Sequence, residues 1–305
     1  MKKKISYSII IPHKNTPKLL QRCLNSIPRR NDVQIIVVDD NSTSSICDFN
    51  NYPGKEDPYV KLVFSKKGLG AGYARNVGLK YALGKWLLFV DCDDILYPKT
   101  LDILDKYQES DYDIIYFLVD SFDSDTLKPA KRHLSKENWV KRFDKNIYQM
   151  DQWLRFGYTE PWGKLINHDL VKKYNIKFDE SLVANDYMFS VLTGYYAKSI
   201  KLSKDRYYCV SVRDSSISYN FFGSSEKALS RLSVYEKVQI FYQEHGISLR
   251  PFYQLICKSY MSDSSIFKLY MNECRKRYFI PCLLLKCLFF GGIFKFKQIV
   301  LNRYI

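Results

Sequence analysis

The 305-residue chain lacks the cysteine spacing of a zinc site or of a disulfide-stabilised domain. Its eight cysteines are scattered, with no CxxC pair and no Cys/His cluster nearby. The basic start of the chain is followed by the apolar residues 9–11, which stop at Pro12 and are too few for the core of a signal peptide. We therefore expect a reducing, cytoplasmic location.

Long hydrophobic runs are also scarce. The longest mostly apolar stretch, residues 278–294, is interrupted by Pro281, Lys286 and two glycines, and is shorter and more broken than a membrane-spanning helix. Residues 271–305 carry seven basic side chains and one acidic side chain. We expect residues 275–305 to associate peripherally with an anionic membrane, at the inner face of the cell membrane; the alternative is a buried C-terminal helix.

Acidic residues are in deficit. The chain has 47 basic and 32 acidic residues, a formal charge of +15. This excess favours an anionic partner such as nucleic acid, a phosphorylated molecule or a membrane, although a merely soluble basic protein would also have it. The aromatic residues are spread through apolar segments where core packing explains most of them, so we expect no nucleic-acid partner. The 46 % hydrophobic content excludes a disordered chain.

The first 120 residues alternate between strand-like and helix-like patterns. Apolar strands separated by helices predict an α/β fold in which a parallel sheet is covered on both faces, and ligands collect at the carboxyl ends of such strands. Residues 121–150 are polar, charged and weakly periodic, which predicts a long loop or an excursion over the site. From about Ser224 onward the pattern is helical. The predicted strands are 7–11, 33–38, 60–64, 86–90 and 114–119, with helices at 18–27 and 71–83.

Carboxylates follow two of these strands. Asp91 and Asp93 come directly after the fourth strand and can point to the same side, because side chains of an extended segment alternate. Such close carboxylates repel each other, and Mg²⁺ or Mn²⁺ resolves the repulsion. Asp39 and Asp40 end the second strand, where they could hold a pyrimidine or a ribose hydroxyl. Alternatively, each group is an ordinary acidic turn that caps a helix.

A glycine-rich loop, residues 68–72, precedes the second helix. Tyr73 occupies the place of the third glycine of a dinucleotide-binding loop, and the loop follows the third strand instead of the first, which disfavours a dehydrogenase. The loop is better suited to present backbone N–H groups to a phosphate, with Arg75 and Asn76 one turn further along the helix.

Five motifs in order resemble family 2 glycosyltransferases of the GT-A fold, in particular members that build bacterial surface polysaccharides such as capsule or lipopolysaccharide. The close match covers residues 5 to about 100, and two further segments extend it to about residue 190. The motifs are SIIIP at 8–12, VVDDNS at 37–42, ARNVGL at 74–79, ALGKW at 82–86 and FVDCDD at 89–94, and the extending segments are PWGKL at 161–165 and residues 178–187.

The resemblance implies the architecture of the whole chain. The fold class is α/β, the GT-A nucleotide-diphospho-sugar transferase fold, with a mixed, mostly parallel sheet flanked by helices and a helical C-terminal extension. The catalytic domain would cover residues 1–220, with a nucleotide-binding half at about 1–120 and an acceptor half at about 121–220. Residues 221–305 would form a helical, basic, membrane-associating region.

The resemblance also implies a role for each donor-site residue. Pro12, Asp39 and Asp40 would line the nucleoside pocket, while Arg75 and Asn76 would lie near the base and the diphosphate. The DxD motif corresponds to Asp91, which would meet the ribose, and Asp93, which would hold Mn²⁺ or Mg²⁺ on the diphosphate, with Asp91 as a second metal-site residue.

On the acceptor side, the resemblance makes Asp186 the catalytic base. The family usually has a Glu-Asp pair at this point, and Asn185 replaces the glutamate here. Trp162 could stack on a sugar ring or be a core tryptophan, and Lys164 beside it in the PWGKL motif is a second predicted acceptor contact.

The expected function is a metal-dependent inverting glycosyltransferase. It would move a sugar from a nucleotide-sugar donor, a UDP-sugar, to a hydroxyl of a glycan or lipid-linked acceptor in surface polysaccharide biosynthesis. A sugar-phosphate nucleotidyltransferase is one alternative, but the loop after the first strand, residues 12–17, has no glycine for its signature. A non-enzymatic protein that binds membrane or nucleic acid is another.

Overall fold

The computed structural model describes residues 4–213, 221–278, 282, 283 and 286. Most of the predicted membrane-associating segment 275–305 lies outside the described residues, and its association with a membrane stays a prediction. The chain divides into two compact units, Met1–Glu180 with Asn185–Ser216, and Ser181–Ala184 with Ile217–Ile305. The predicted functional halves of the first 220 residues stay predictions as well.

The first unit is built on one mixed sheet. Its strands are β1 Tyr7–His13, β2 Val33–Asp40, β3 Val60–Ser65, β4 Trp86–Phe89, β5 Ile95–Leu96, β6 Ile114–Asp123, β7 Lys164–Asn167 and β8 Ile200–Val212. Their order across the sheet is β3-β2-β1-β4-β7-β6-β8-β5. The neighbours among β1 to β4 pair in parallel, and so do β6 and β8. Strand β7 is antiparallel to both of its neighbours, and β5 is antiparallel to β8. The predicted mixed, mostly parallel sheet is confirmed.

Seven helices of the described residues flank this sheet. The second ends at Leu79, four residues earlier than predicted, and a turn follows in which Gly84 lies against β1. A Cβ at Gly84 would be 2.6 Å from the backbone nitrogen of Ser8, so the turn needs glycine there. The helices are α1 Pro17–Ser26, α2 Ala71–Leu79, α3 Thr100–Asp105, α4 Leu134–Phe143, α5 Ile147–Phe156, α6 His168–Lys173 and α7 Tyr187–Tyr196.

The prediction of a long loop at residues 121–150 is wrong. Strand β6 continues to Asp123, and α4 and the start of α5 occupy most of the remainder. Helix α4 buries only Val140. A helix that buries a single apolar side chain shows no apolar period in its sequence, which is why the pattern failed to reveal it.

The second unit contains three helices in its described part, α8 Ser225–Glu244, α9 Pro251–Ser262 and α10 Ser264–Cys274. They confirm the predicted helical C-terminal region. Helix α8 begins where the Ser224 hydroxyl accepts a hydrogen bond from the Lys227 backbone. None of the helices found in the described residues is long and apolar enough to cross a membrane.

Candidate functional site

The parallel strands bring the predicted carboxylates to one edge of the sheet. His13 at the end of β1 pairs with Asp39 of β2, and Ile10 pairs with Phe89 at the end of β4, two residues before Asp91. Pro12 is buried and precedes His13 at this end of β1. The carboxyl ends of β1, β2 and β4 are therefore neighbours at the edge of the sheet where a ligand is expected.

Asp39 is held in a buried network. Its Oδ2 lies 3.0 Å from His13 Nδ1 and 2.7 Å from the Tyr52 hydroxyl, and its Oδ1 accepts the Ser42 N–H at 2.8 Å. Burial by itself would raise the pKa of Asp39, but hydrogen bonds from His13, Ser42 and Tyr52 lower it to about 2. Asp39 is therefore ionised at all physiological pH values. Tyr52 was missed in the sequence, because it lies in an irregular segment with no pattern of its own.

Asp40 points to the glycine-rich loop. Its two carboxylate oxygens accept the backbone N–H groups of Leu69 at 3.1 Å and of Gly70 at 2.6 Å. Gly70 is the N-cap residue of α2 and has a φ of 94°, a conformation that favours glycine. Asp40 thus fixes the start of α2, and these two N–H groups, which the sequence suggested for phosphate, are already bonded.

Arg75 connects two parts of the site. This guanidinium is buried on α2, and it donates through Nη2 to Asp91 Oδ1 at 2.6 Å and through Nη1 to Asn185 Oδ1 at 3.0 Å. The side chain of Asp91 is 33 % exposed. Asn185, which stands where a glutamate was expected, contacts Arg75 as a neutral acceptor. The segment that carries Asp186 is tied to the DxD motif through one arginine.

Helix α2 also grips the segment before Asp186. The Asn76 side chain donates to the Phe178 carbonyl at 2.9 Å and accepts the Phe178 N–H at 2.8 Å. A Cβ at Gly72 would be 2.0 Å from the Asp179 carbonyl oxygen. Asn76, predicted near the diphosphate, is thus placed as a clamp on residues 178–180, and Gly72 permits the close approach of the backbone.

The second carboxylate of the DxD motif has a different partner. Asp93 Oδ2 lies 3.0 Å from Arg213 Nη2, just after the end of β8. Burial, together with the negative charge of Asp91, raises the pKa of Asp93 in spite of Arg213. Arg213 was not singled out in the sequence; nothing in the local pattern shows that its side chain reaches a carboxylate 120 positions earlier.

Asp94, the third carboxylate, is committed to structure. It is buried, its Oδ2 accepts the Tyr208 hydroxyl at 2.6 Å and its Oδ1 accepts the Ser211 N–H at 2.6 Å. Burial and then the charges of Asp93 and Asp91 raise its pKa well above the ordinary value. Asp94 therefore joins the DxD segment to β8.

Asp186 is the N-cap residue of α7, and its side chain makes no capping hydrogen bond. Burial raises the pKa of Asp186 to about 6; Arg75 opposes the shift, and Glu160 and Asp91 reinforce it. A carboxylate with a pKa near 6 is ionised at neutral pH and is a stronger base than an ordinary aspartate. The structure thus brings Asp186, Arg75 and Asp91 into one electrostatic environment.

The two predicted acceptor residues are buried. Trp162 is 4 % exposed and stacks on Tyr208, with ring centroids 5.6 Å apart. Lys164 is 1 % exposed, and its Nζ donates to the Tyr158 carbonyl at 2.7 Å and to the Ser190 hydroxyl at 3.2 Å. Burial lowers the pKa of Lys164 to about 7. Both side chains thus lie beneath the surface, and their role toward an acceptor stays a prediction.

An ion pair covers these residues. Lys136 of α4 lies 2.5 Å from Glu160 Oε2, and its Nζ is 3.9 Å from the ring centroid of Tyr158 and 5.0 Å from that of Trp162. Glu160 keeps 33 % of its side chain exposed. The pair was missed in the sequence because α4 itself was missed.

A second group of possible metal ligands lies apart from the DxD motif. Asp120, His133 and Glu137 place their ligand atoms within 4.8 Å of one another. Arg206, however, lies 3.1 Å from Asp120 Oδ1 and also pairs with Glu137. Through these contacts of Arg206, the group fastens α4 to β6 and β8.

Comparisons with known proteins show the family and the fold of the chain. The family model described as Glycosyl transferase family 2 matches residues 8–174. A poly(ribitol-phosphate) beta-glucosyltransferase of Bacillus spizizenii is 29 % identical over 242 residues, which are 74 % of this chain and 36 % of that relative. The chain thus spans little more than a third of that relative's length.

Two solved structures share the fold. Staphylococcus aureus TarS 1-349 in complex with UDP-GlcNAc gives a TM-score of 0.59 at 20 % identity, covering 98 % of this chain and 79 % of that chain. A mannosyltransferase of Pyrobaculum calidifontis in complex with GDP-Man and Mn²⁺ gives 0.56 at 14 % identity, covering 98 % and 84 %. The GT-A fold is confirmed. Because the family model matches more than half of the chain, this protein belongs to family 2 of the glycosyl transferases.

Proposed function

We propose that this chain is a metal-dependent inverting glycosyltransferase. It moves a sugar from a nucleotide-sugar donor, a UDP-sugar, to a hydroxyl of a glycan or lipid-linked acceptor in the synthesis of a bacterial surface polysaccharide. It works in the cytoplasm, at the inner face of the cell membrane. The family membership, a relative named for glucosyl transfer to poly(ribitol phosphate) and a structural neighbour bound to UDP-GlcNAc support this proposal.

The observation that carries the proposal is the position of Arg75. Its guanidinium contacts both Asp91 of the DxD motif and Asn185 next to Asp186. A donor held at the DxD motif would therefore lie close to a carboxylate that can accept a proton. Inverting transfer needs one base that activates the acceptor hydroxyl on the side opposite the leaving group. In our proposal Asp186 is that base.

The donor half of the site consists of the sheet edge and the start of α2. In our proposal Pro12 and Asp39 line the nucleoside pocket, with Asp40 and Asn76 fixing the loop and the segment around it. Asp91 meets the ribose through its exposed side. Arg75 keeps a fixed positive charge near the diphosphate.

The residues around Asp93 fit a divalent cation. Carboxylate oxygens are the ligands that Mg²⁺ and Mn²⁺ prefer. A positive charge is already present 3.0 Å from Asp93, on Arg213. Asp93, with Asp91, would hold the ion, which would supply Lewis-acid stabilisation of the charge on the departing nucleoside diphosphate. We give Asp94 a structural role and not a ligand role, because it is buried and bonds to Tyr208 and Ser211 of β8.

The acceptor half is formed by Asp186 and the residues around Glu160. Asp186 removes the proton from the acceptor hydroxyl as its oxygen attacks the anomeric carbon. Trp162 and Lys164 are our two proposed acceptor residues, and both are buried. They would support the acceptor surface from beneath, and the partly exposed Glu160 would lie at that surface.

The reaction products give the direct test. With Mn²⁺ and UDP-GlcNAc or UDP-glucose, we expect the protein to release UDP and to form a product of inverted anomeric configuration, read by NMR. UDP is also expected to raise the thermal unfolding midpoint more with Mn²⁺ than without it. Release of pyrophosphate would identify a nucleotidyltransferase instead, and the absence of any nucleotide effect on unfolding would contradict the proposal.

The pH dependence of transfer should report on Asp186. Its pKa is about 6, so we expect the rate to fall below pH 6 as the carboxylate becomes protonated and can no longer accept a proton. Glu160→Gln removes a nearby negative charge and should move this acid limb to lower pH, because that charge raises the pKa of Asp186. Glu109→Gln, an exposed position, is the control. An acid limb that is the same in all three proteins would count against Asp186 as the base.

A further inference from the structure

The hairpin formed by α4 and α5 ends in exposed apolar side chains. We define the hairpin tip as residues 139–148, which include the end of α4, the connection and the start of α5. Ile147 is 86 % exposed and Tyr148 is 72 % exposed, the two highest values for large apolar side chains in the described part of the chain. Trp139 is 40 % exposed. Large apolar side chains held this far into water indicate an interaction surface.

Basic side chains surround these residues. Lys141, Arg142 and Lys145 are all exposed. The single acidic residue of the hairpin tip, Asp144, has a counter-charge 3.5 Å away on Lys204. The tip therefore carries an excess of positive charge next to its apolar side chains.

Ring contacts hold part of the tip in one arrangement. Trp139 stacks on Phe143, with centroids 5.3 Å apart and an interplanar angle of 27°. The Arg142 guanidinium lies 5.2 Å from the centroid of Trp139. Tryptophan and tyrosine rings beside lysine and arginine are the composition of protein segments at a membrane–water interface.

We propose that the hairpin tip docks the first unit of this protein onto an anionic lipid membrane. Ile147 and Tyr148 enter the boundary between headgroups and acyl chains, and Lys141, Arg142 and Lys145 face the lipid phosphates. The contact is separate from residues 275–305 and does not depend on the proposed activity.

Two other occupants fit less well. A hydrated polyanion would satisfy the cations but would leave Ile147 in water, whereas a lipid boundary removes that aliphatic side chain from water. A second copy of the chain docked through the same tip would bring Lys141, Arg142 and Lys145 against their own counterparts, and like charges in contact are unfavourable.

Docking would also orient the candidate site. Helix α4 carries both Lys136, paired with Glu160, and the tip residue Phe143. Phe143 comes seven positions after Lys136, which places the two residues about 10 Å apart along the helix axis. A membrane contact at the tip would thus bring the acceptor side of the site close to the lipid surface.

Vesicle flotation of the full chain tests the proposal. We expect the protein to float with vesicles of phosphatidylglycerol and phosphatidylcholine, and Ile147→Ser/Tyr148→Ser to bind about ten-fold more weakly. Leu83→Ser, which alters a side chain 70 % exposed in a turn of the same unit, is the matched control and should bind like the parent. All of these side chains are exposed, so the thermal unfolding midpoints should agree; a lowered midpoint in the double variant calls for the milder Ile147→Thr/Tyr148→Thr.

Fluorescence separates the hairpin tip from the C-terminal segment. Of the four tryptophans, Trp86 and Trp162 are buried and Trp153 is partly buried, so Trp139 is the one that a bilayer can reach. Brominated phosphatidylcholine should quench Trp139 on docking, and Trp139→Phe should remove the quenching. Vesicle binding without this quenching would assign membrane contact to another segment and overturn the proposal. The proposal would also be overturned if the double variant floated like the parent and, unlike the parent, no longer formed a dimer, because the tip would then bind a second copy of the chain.

Discussion

Replacing Asp186 with asparagine is expected to lower the rate of sugar transfer about 10³-fold, the usual contribution of a positioned general base. Asparagine has nearly the same shape but cannot take up the proton of the acceptor hydroxyl. The Asp186 side chain makes no capping hydrogen bond to α7, so the substitution leaves the helix start unchanged. The measurement is the initial rate of UDP release in the presence of acceptor.

Binding and stability should be preserved in this variant. Burial raises the pKa of Asp186 from 3.8 to about 6, so at neutral pH the ionised carboxylate makes the folded state less stable relative to the unfolded chain. A neutral amide removes this cost, so at neutral pH the thermal unfolding midpoint should be equal or higher. UDP should bind with an unchanged Kd. Asp169→Asn, at a carboxylate that is 88 % exposed, controls for the loss of one negative charge.

Near-normal transfer by Asp186→Asn, in a preparation where Asp93→Ala is inactive, would show that another group is the base. Glu160 would then be the first candidate, because its carboxylate is partly exposed and raises the pKa of Asp186.

Replacing Asp93 with asparagine should abolish the response to metal. We expect the effect of Mn²⁺ on UDP binding to disappear and the transfer rate to fall about 10²- to 10³-fold, since the ion supplies several kcal/mol of stabilisation to the departing diphosphate. Folding should be unaffected or slightly improved, because burial and Asp91 already disfavour the ionised form of Asp93. Thermal unfolding with UDP, with and without Mn²⁺, measures binding and stability together.

Asp94→Asn is the matched control for that experiment. Asp94 accepts hydrogen bonds from Tyr208 and from the Ser211 backbone, and an amide offers only one oxygen to replace two. This variant should lose about 1–3 kcal/mol of stability, the cost of a buried donor without a partner. Its unfolding midpoint should still respond to Mn²⁺ with UDP. The opposite pattern, a metal response lost in Asp94→Asn and kept in Asp93→Asn, would exchange the two roles.

The strands of the first 120 residues could be predicted because each is a short, continuous apolar run bounded by turn residues. The sequence predicted a mostly parallel sheet but not the order of its strands, because strand pairing depends on contacts between distant segments. Helix α4 could not be predicted. It buries one apolar side chain, and its other contacts include the ion pair of Lys136 with Glu160, which no local pattern reports.

Residue identity at the site was likewise easier to predict than residue partners. The sequence pointed to Asp91 and Asp93 as one acidic motif, and the structure gives them different counter-charges, Arg75 and Arg213. It pointed to Asn76 as a candidate for the diphosphate, and the structure places its amide on Phe178. Partners 16 to 120 positions apart become neighbours only when the sheet assembles.

Motifs and apolar runs are local properties of the chain, so the amino-acid sequence was enough to identify the family, the α/β class and the residues that could do chemistry. The partners of each carboxylate became visible only in the folded chain. Asp40 fixes the start of α2, Asp94 joins the DxD segment to β8, Asp91 is linked through Arg75 to the segment of Asp186, and Asp93 is paired with Arg213. Charge, burial and hydrogen-bond partners depend on the folded neighbourhood, and they therefore differ among side chains that are identical in the sequence.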